Sequence, residues 1–189
     1  IGMIEYFDEC FSSGDSFNIG EQRFSVDQTR VVQPDVGSVG STGCIRTDTG
    51  VYISYPKEKL EELPVDTSDS YDGVDRPAWE PEFGEGEFMG RVVENLDRKV
   101  GELCSSHLPK PSEGEHSLFD EHTMSKVYTV SVPVTTGYEY TFLVSKWEFE
   151  YTVRSEVHRK WLQTLLETGM GETNSLGFGF VNIIEGDSL

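Results

Sequence analysis

The sequence has few cysteines, and their spacing excludes the common metal and disulfide frameworks. Its 3 cysteines are Cys10, Cys44 and Cys104, which form no CxxC pair. This pattern is typical of a reducing compartment and predicts no metal site and no cofactor. No apolar run is long enough to cross a bilayer, and no basic segment followed by an apolar one opens the chain. We therefore expect a cytoplasmic protein without a membrane partner.

Basic residues are also scarce. The 189 residues contain 15 lysines and arginines against 34 aspartates and glutamates, a net charge of −19. The acids are scattered along the chain, which is typical of a surface adapted to molar salt. At such ionic strength the Debye length falls to about 3 Å, so like charges barely repel one another. The composition favours a halophilic protein, with an acidic protein from ordinary surroundings as the alternative.

Most of the excess of acid lies in one part of the sequence. Residues 1–122 contain 26 acids and 10 bases, whereas residues 123–184 contain six acids and five bases. A surface that approaches phosphates cannot carry a heavy acidic charge, so the second segment could contact nucleic acid. A segment that is simply more buried would show the same balance, and the sequence leaves both explanations open.

The first 33 residues are too short to enclose a core of their own. Ile4, Phe7 and Phe11 have helical spacing, and short strands are predicted around Phe17 and Phe24. A helix and two strands cannot form an independent domain. We interpret residues 1–33 as the carboxyl-terminal remnant of a domain whose start is absent, because the chain begins with Ile1 and not with methionine.

Residues 34–43 have the glycine and proline content of a linker, and residues 44–185 are predicted to form one domain. The predicted elements alternate between extended and helical patterns. They are strands at 44–55, 127–132, 138–153 and 178–184, and helices at 88–104 and 155–169. Pro133 is expected to end the second strand. This β-α-β-β-α-β order predicts an α+β fold of the ferredoxin-like (RRM-like) type, an order that many unrelated proteins share.

Four glycines lie between the last helix and the last strand. They form two glycine–hydrophobic–glycine triplets, Gly169-Met170-Gly171 and Gly177-Phe178-Gly179. The segment is not a P-loop, because no Gly-Lys-Ser/Thr follows, nor a dinucleotide fingerprint, because it follows a helix. Glycines allow positive φ and can leave backbone N–H groups free to hold phosphate oxygens. The alternative is a tight loop that only packs helix on sheet.

The stretch from Ser155 to Val181 resembles the repeat-associated RNA-binding (RAMP) superfamily of CRISPR systems. In that superfamily two such triplets, separated by five residues, precede the last strand. The chain is most similar to the endoribonucleases that cut precursor CRISPR RNA within each repeat, and Glu172, Asn174 and Ser175 match their loop. The helix that contains Asn95 and Lys99 is also similar, and residues 1–33 resemble the end of the family's first ferredoxin-like domain.

The resemblance implies metal-independent cleavage of CRISPR repeat RNA. In the family a 2′-hydroxyl attacks the adjacent phosphate and leaves a 2′,3′-cyclic phosphate. Many members place a catalytic histidine in an early helix of the first domain, and nothing in this chain matches that helix, so no catalytic residue is assigned. Two alternatives stay open. They are a noncatalytic guide-RNA-binding subunit of a multisubunit CRISPR effector complex and an acidic interaction domain unrelated to RNA.

The candidate RNA-binding residues fall into three groups. They are Gly169, Gly171, Asn174, Ser175, Gly177 and Gly179 in the loop; Arg154, His158, Arg159 and Lys160 at the start of the last helix; and Lys146 on the long strand. His158 is expected to be solvated, like the loop residues His107, His116 and His122. Trp147 could present a stacking face or lie in the core, and the basic cluster could bind phosphate or balance Glu150 and Glu156.

Overall fold

The structure, a computed structural model, describes residues 14–19, 22–27, 34–55, 77–103, 117–135 and 138–184. The chain divides into two compact units, residues 1–33 and residues 34–189. Among the described helices, none has the length and apolar character needed to cross a membrane.

The first unit contains a short antiparallel hairpin. Strand β1 (Ser16–Ile19) pairs with β2 (Gln22–Ser25), and Phe17 lies opposite Phe24. Strands are therefore present where the sequence predicts them. The helix predicted over residues 1–13 lies outside the described residues, and the interpretation of this unit as a domain remnant stays a prediction.

The second unit has the predicted β-α-β-β-α-β order. Its elements are β3 (Thr42–Thr47), α1 (Glu85–Leu103), β4 (Glu121–Thr135), β5 (Tyr138–Thr152), α2 (Glu156–Thr168) and β6 (Val181–Ile184). The four strands form one antiparallel sheet in the order β4-β5-β3-β6. This is the strand order of a ferredoxin-like fold, and the predicted α+β fold class is confirmed.

The two helices share one core with one face of the sheet. Along α1, Phe88, Val92, Leu96 and Val100 recur at helical spacing and are at most 2% exposed. In β5, alternate side chains from Trp147 onward point into the same core. The Phe88 and Trp147 rings stack with their centroids 4.4 Å apart. Trp147 therefore fills the core and offers no stacking face to a ligand.

The hairpin of β4 and β5 is longer than the sequence predicts. β4 begins at Glu121, within a stretch predicted as loop, and it continues through Pro133 to Thr135. The prediction that Pro133 ends the strand is wrong. β4 is an edge strand, so the missing N–H of a proline can lie on the side without a partner, and the register shifts between Pro133 and Thr135. The last strand begins at Val181 instead of 178.

Candidate nucleic-acid interface

The connection between α2 and β6 follows a backbone path that depends on its glycines. Gly169 ends α2 with a φ of 78°. Gly171, Gly177 and Gly179 also have positive φ, at 73°, 87° and 69°. Only glycine adopts such angles without steric cost. We call Gly169–Gly179 the glycine loop.

Three of the glycines are further required by close packing, and a Cβ atom placed on Gly169 would lie 2.9 Å from the carbonyl oxygen of Gly179. A Cβ atom placed on Gly179 would lie 1.8 Å from the carbonyl oxygen of Met170, and one on Gly171 would lie 2.6 Å from that of Tyr52. By contrast, a Cβ on Gly177 would have no neighbour within 4 Å. Gly169, Gly171 and Gly179 are therefore needed for packing, whereas Gly177 is needed only for its backbone angle.

Several backbone N–H groups of the glycine loop are used within the protein. Met170 donates to the carbonyl of Gly179 at 2.8 Å, Glu172 to that of Tyr52 at 2.9 Å, and Gly179 to that of Gly50 at 2.9 Å. The first bond closes the loop on itself, and the other two fix it to the segment that follows β3. For this part of the loop, packing of helix on sheet accounts for the glycines.

The middle of the glycine loop is a different case, because it is exposed. A short 3-10 turn spans Asn174–Leu176 and begins at Thr173, which has a left-handed φ of 59°. Ser175 and Gly177 are exposed at its surface. The N–H groups of Thr173, Asn174 and Ser175 have no acceptor among the residues that the structure describes. Exposed backbone donors without an acceptor therefore lie in this turn.

Asn174 holds the turn from inside. Its Nδ2 donates to the carbonyls of Met170 at 3.1 Å and Phe178 at 2.9 Å. Its Oδ1 accepts from Lys99 Nζ at 2.6 Å, and Lys99 also donates to the carbonyl of Gly169 at 2.8 Å. One side chain from α1 and one from the loop therefore determine the shape that the turn presents.

Lys99 is partly buried beneath the loop, which affects its ionisation. Burial of the ammonium group lowers the pKa of Lys99 from its usual 10.5 to about 8. The charge of Arg98 acts in the same direction, and the charge of Glu172 opposes it. The protein thus keeps a costly partly buried cation at the point where the last helix meets the glycine loop.

A second contact between α1 and the loop involves Arg91 and Glu172. Arg91 Nη2 lies 3.1 Å from Glu172 Oε1, and Ser54 Oγ donates to Glu172 Oε2 at 2.6 Å. With its amide oriented to satisfy both neighbours, Asn95 donates to the carbonyl of Gly171 at 2.7 Å and accepts from Arg98. Glu172 is therefore paired with a cation of α1 beside the glycine loop.

Arg91 is absent from the sequence-based site, and Lys99 entered that analysis only through a resemblance. The feature of the sequence that could have identified such residues is their position on α1. Lys99 and Asn95 lie three residues beyond the core residues Leu96 and Val92, next to the apolar stripe. Polar side chains beside the buried face of an amphipathic helix need internal partners, and a neighbouring loop can supply them.

Two of the clefts on the described part of the second unit differ in charge. One of about 480 Å³ lies between α1 and the glycine loop, and its wall contains Arg91 and Arg98 together with Glu94 and Glu172. The other, of about 610 Å³, has three carboxylates in its wall and no lysine or arginine. Those carboxylates belong to Asp35, Asp120 and Glu150. Phosphate would be repelled by the three carboxylates of the second cleft, whereas arginines and glutamates are equal in number in the wall of the first.

The basic residues at the start of α2 lie at the other end of that helix. The helix has 13 residues, so roughly 20 Å separates its two ends. The Arg154 guanidinium bonds the Asp120 carboxylate, and Arg159 Nε lies 2.9 Å from Glu156 Oε2. Lys160 is exposed. The structure does not bring this cluster to the glycine loop, and carboxylates already balance both arginines.

His158 is buried, so the expectation of a solvated histidine is wrong. Its side chain is 0% exposed. Nδ1 accepts from the backbone N–H of Arg154 at 3.1 Å, and Nε2 lies 3.0 Å from the carbonyl of Leu118, to which it donates in the matching tautomer. The side chain has no surface with which to contact RNA, and its role is to connect α2 to the segment before β4.

The remaining candidates are dispersed. Lys146 lies on β5, where its Nζ donates to the carbonyl of Asp48 at 2.7 Å. His122 lies on β4, with Nε2 3.2 Å from Glu85 Oε2. His107 and His116 lie outside the described residues. Lys146 is connected to the end of the glycine loop through Asp48, whose backbone N–H donates to the carbonyl of Phe180 at 2.8 Å.

Comparison with known proteins supplies the family. Residues 63–183 match the family model described as CRISPR associated protein Cas6, C-terminal. A curated relative, the CRISPR-associated endoribonuclease Cas6 of Haloferax mediterranei, is 35% identical over 170 residues. The alignment covers 89% of this chain and 61% of the relative, so the chain matches less than two thirds of that protein. The source of the relative agrees with the halophilic character predicted from charge.

Solved structures agree at the level of the fold. A chain described as an RAMP protein binding different RNA substrates has a TM-score of 0.59 and 18% identity, with 97% of this chain and 65% of that chain covered. A CRISPR associated protein Cas6 has a TM-score of 0.57 and 16% identity, with 97% and 64% covered. Together with the glycine loop and the ferredoxin-like sheet, the family model and the curated relative show that this chain belongs to the Cas6 family of CRISPR-associated proteins.

Proposed function

We propose that this chain binds CRISPR repeat RNA and is the RNA-binding part of an endoribonuclease that cuts precursor CRISPR RNA within its repeats. The observation that carries the proposal is the 35% identity to a Cas6 endoribonuclease over 89% of this chain. The aligned length includes most of the unit that holds the glycine loop, so the proposal concerns the described surface and not only an isolated motif.

The geometry supports RNA binding at the exposed turn of the glycine loop. Residues 173–184 contain no aspartate or glutamate, although acids outnumber bases 34 to 15 in the whole chain. Glu172, just before this stretch, is paired with Arg91. A phosphate can therefore approach the turn without meeting an unpaired carboxylate of the loop, and free N–H groups can receive it.

The chemistry of cleavage requires more than the described residues offer at the loop. Attack of a 2′-hydroxyl needs a base, an acid at the leaving oxygen and a cation for the developing charge. Both ring nitrogens of His158 face backbone groups, and the imidazole of His122 faces Glu85. In this proposal the described part of the chain binds and orients the repeat, and the acid–base groups lie elsewhere in the enzyme. The resemblance implies that the reaction is metal-independent.

Because both histidines already contact other groups of the protein, a second candidate function is also favoured. In it the chain is a noncatalytic subunit that holds guide RNA within a CRISPR effector complex. RNA affinity is common to both candidates, so cleavage must distinguish them.

The test uses the whole chain and end-labelled repeat RNA from its source organism in molar potassium chloride with EDTA. We expect the repeat to bind more tightly than a scrambled RNA of equal length. Cleavage at one site with a 2′,3′-cyclic phosphate would support the nuclease and place its acid–base groups within this chain. Binding without cleavage is the result expected both for the RNA-binding part of the nuclease and for the noncatalytic subunit. Affinity no better than that of an unrelated acidic protein overturns both and favours an acidic interaction domain.

A pair of matched variants tests the role of the exposed turn. Gly177→Asp adds a negative charge at a position with open space and positive φ. Gly40→Asp adds the same charge at another open glycine, with φ +93°, in a turn at the far end of β3. Aspartate tolerates the left-handed region better than most residues. We expect only Gly177→Asp to weaken repeat binding. Equal affinities of the two variants would contradict the role of the turn.

A further inference from the structure

The β4–β5 hairpin places two lysines directly opposite each other. Lys126 is the cross-strand partner of Lys146. Like charges at directly opposed positions destabilise a sheet. The pairing is unexpected in a chain with 34 acids and 15 bases, where an acid would be the commoner neighbour of a lysine. An anion bound between the two ammonium groups would offset their mutual repulsion.

Neither lysine forms an ion pair with a carboxylate of the described residues. Lys126 Nζ lies 4.8 Å from the centroid of the Tyr128 ring, and Lys146 Nζ donates to the carbonyl of Asp48 at 2.7 Å. An ammonium group has three N–H donors. Each lysine contacts a neutral group and has spare N–H donors for a ligand.

Aromatic side chains continue the same surface toward the tip of the hairpin. Strand alternation puts Lys126, Tyr128 and Val130 on one face of β4, opposite Lys146, Val144 and Phe142 of β5. Tyr140 follows on the same face and is 59% exposed, with its ring 6.5 Å from that of Phe142. We call Lys126, Tyr128, Val130, Tyr140, Phe142 and Lys146 the hairpin face. It contains no acid, whereas the other end of this sheet face contains Glu148 and Glu150.

The hairpin face is continuous with the glycine loop. The Phe142 ring lies 5.0 Å from the Phe178 ring of the loop. A Cβ atom on Gly50 would lie 2.9 Å from the Tyr128 hydroxyl, and the carbonyl of Gly50 accepts from the N–H of Gly179. A single strand that contacts the exposed turn could therefore continue onto the hairpin without crossing the acidic end of the sheet.

We infer that the hairpin face binds a single-stranded segment of RNA, an inference that rests on the proposed function. Phosphates contact Lys126 and Lys146, and unpaired bases stack on Tyr140 and Phe142. Paired cations beside exposed rings are the combination by which proteins bind single strands, because stacking requires bases that are free of a duplex.

The first experiment compares the double variant Lys126→Ala/Lys146→Ala with the control Arg23→Ala/Arg46→Ala. The control also removes two exposed cations from strands, and Arg46 already faces Asp48 and Glu148 at 3.9 Å. Affinity for single-stranded repeat RNA is measured over a series of potassium chloride concentrations. Two lost phosphate contacts reduce the slope of log K against log salt by about 1.4. We expect that reduction for the lysine variant only.

The second experiment compares Tyr140→Ala with Tyr140→Phe, which keeps the ring. Loss of stacking with one base is worth roughly 1–3 kcal/mol, so we expect the alanine variant to bind at least about 5-fold more weakly and the phenylalanine variant to bind normally. Thermal melting verifies that all variants fold. If no form of the chain binds RNA, the proposed function itself fails.

Other outcomes overturn only the inference about the hairpin face. One is that the wild type binds repeat RNA but the lysine and tyrosine variants match their controls. Another is that duplex RNA binds as well as single-stranded RNA and shows the same dependence on Tyr140. Loss of self-association in the lysine variant, with RNA affinity unchanged, would assign the surface to a second copy of the chain instead.

Discussion

Lys99 Nζ donates to Asn174 Oδ1 at 2.6 Å, across 75 residues of sequence. The bond joins the first helix of the second unit to the exposed turn of the glycine loop. Asn174 in turn bonds the backbone of the loop, because its amide nitrogen donates to the carbonyls of Met170 and Phe178. The shape of the loop thus depends on a side chain outside it, and the first two predictions follow from this contact.

Replacement of Asn174 should destabilise the fold. Asn174→Ala removes the partners of two carbonyls and of the partly buried Lys99 ammonium, and unsatisfied groups of this kind cost roughly 1–3 kcal/mol. Ser175→Ala, in the same exposed turn, should change stability by less than about 0.5 kcal/mol. Urea unfolding in molar potassium chloride measures both. Equal stabilities of the two variants would show that the Asn174 bonds contribute nothing.

The contribution of Lys99 should depend on pH. Its pKa is about 8 in the folded protein and 10.5 in the unfolded chain. Between these values the unfolded chain binds the additional proton, so the contribution of Lys99 to the free energy of unfolding rises with pH. The difference between wild type and Lys99→Met should therefore increase as the pH rises from 8 toward 10.5. Arg159→Gln, which removes a charge that does not titrate there, should give a constant difference. A constant difference for Lys99→Met as well would contradict the lowered pKa.

The glycines should differ in their tolerance of alanine. Gly177→Ala should lose roughly 1–2 kcal/mol, the cost of a left-handed conformation for an L-residue. Gly179→Ala should lose more, because its Cβ would lie 1.8 Å from a carbonyl oxygen. Denaturant unfolding of the two variants provides the comparison. A Gly179→Ala protein as stable as Gly177→Ala would mean that the loop packs differently.

His158 should behave as a structural residue. The ¹⁵N chemical shifts should show the tautomer protonated at Nε2, because Nδ1 accepts from the Arg154 N–H. His158→Ala should lose roughly 1–3 kcal/mol of stability, since it leaves buried backbone groups unpaired. RNA affinity of the folded fraction should stay unchanged. His122→Ala is the control, because that side chain is 31% exposed and should cost less. A large effect of His158→Ala on affinity with no effect on stability would reverse this assignment.

Much of the fold could be predicted because it depends on neighbouring positions in the sequence. The spacing of Phe88, Val92, Leu96 and Val100 is enough to identify a helix and its buried side. Ser155 likewise marks the start of α2, where its side chain accepts from the N–H of His158. Such patterns are set by local backbone geometry, so they appear in the sequence before any tertiary contact is known.

The errors concern residues whose surroundings come from distant segments. Pro133 lies within β4 because β4 is an edge strand, and strand order is not visible in the residues around a proline. His158 is followed in sequence by Arg159 and Lys160, yet its ring is buried and bonds the backbone carbonyl of Leu118, 40 residues away. In both cases the deciding contact comes from outside the local pattern.

By itself the sequence determined the order of strands and helices, the family resemblance of the glycine loop and the uneven distribution of charge. Only the tertiary structure decided which glycines serve packing and which one lies on an open surface. It alone placed Lys99 under the loop and Lys126 opposite Lys146. The reason is that backbone conformation and periodicity are local properties, whereas burial and the pairing of charges depend on which distant segments the fold brings together.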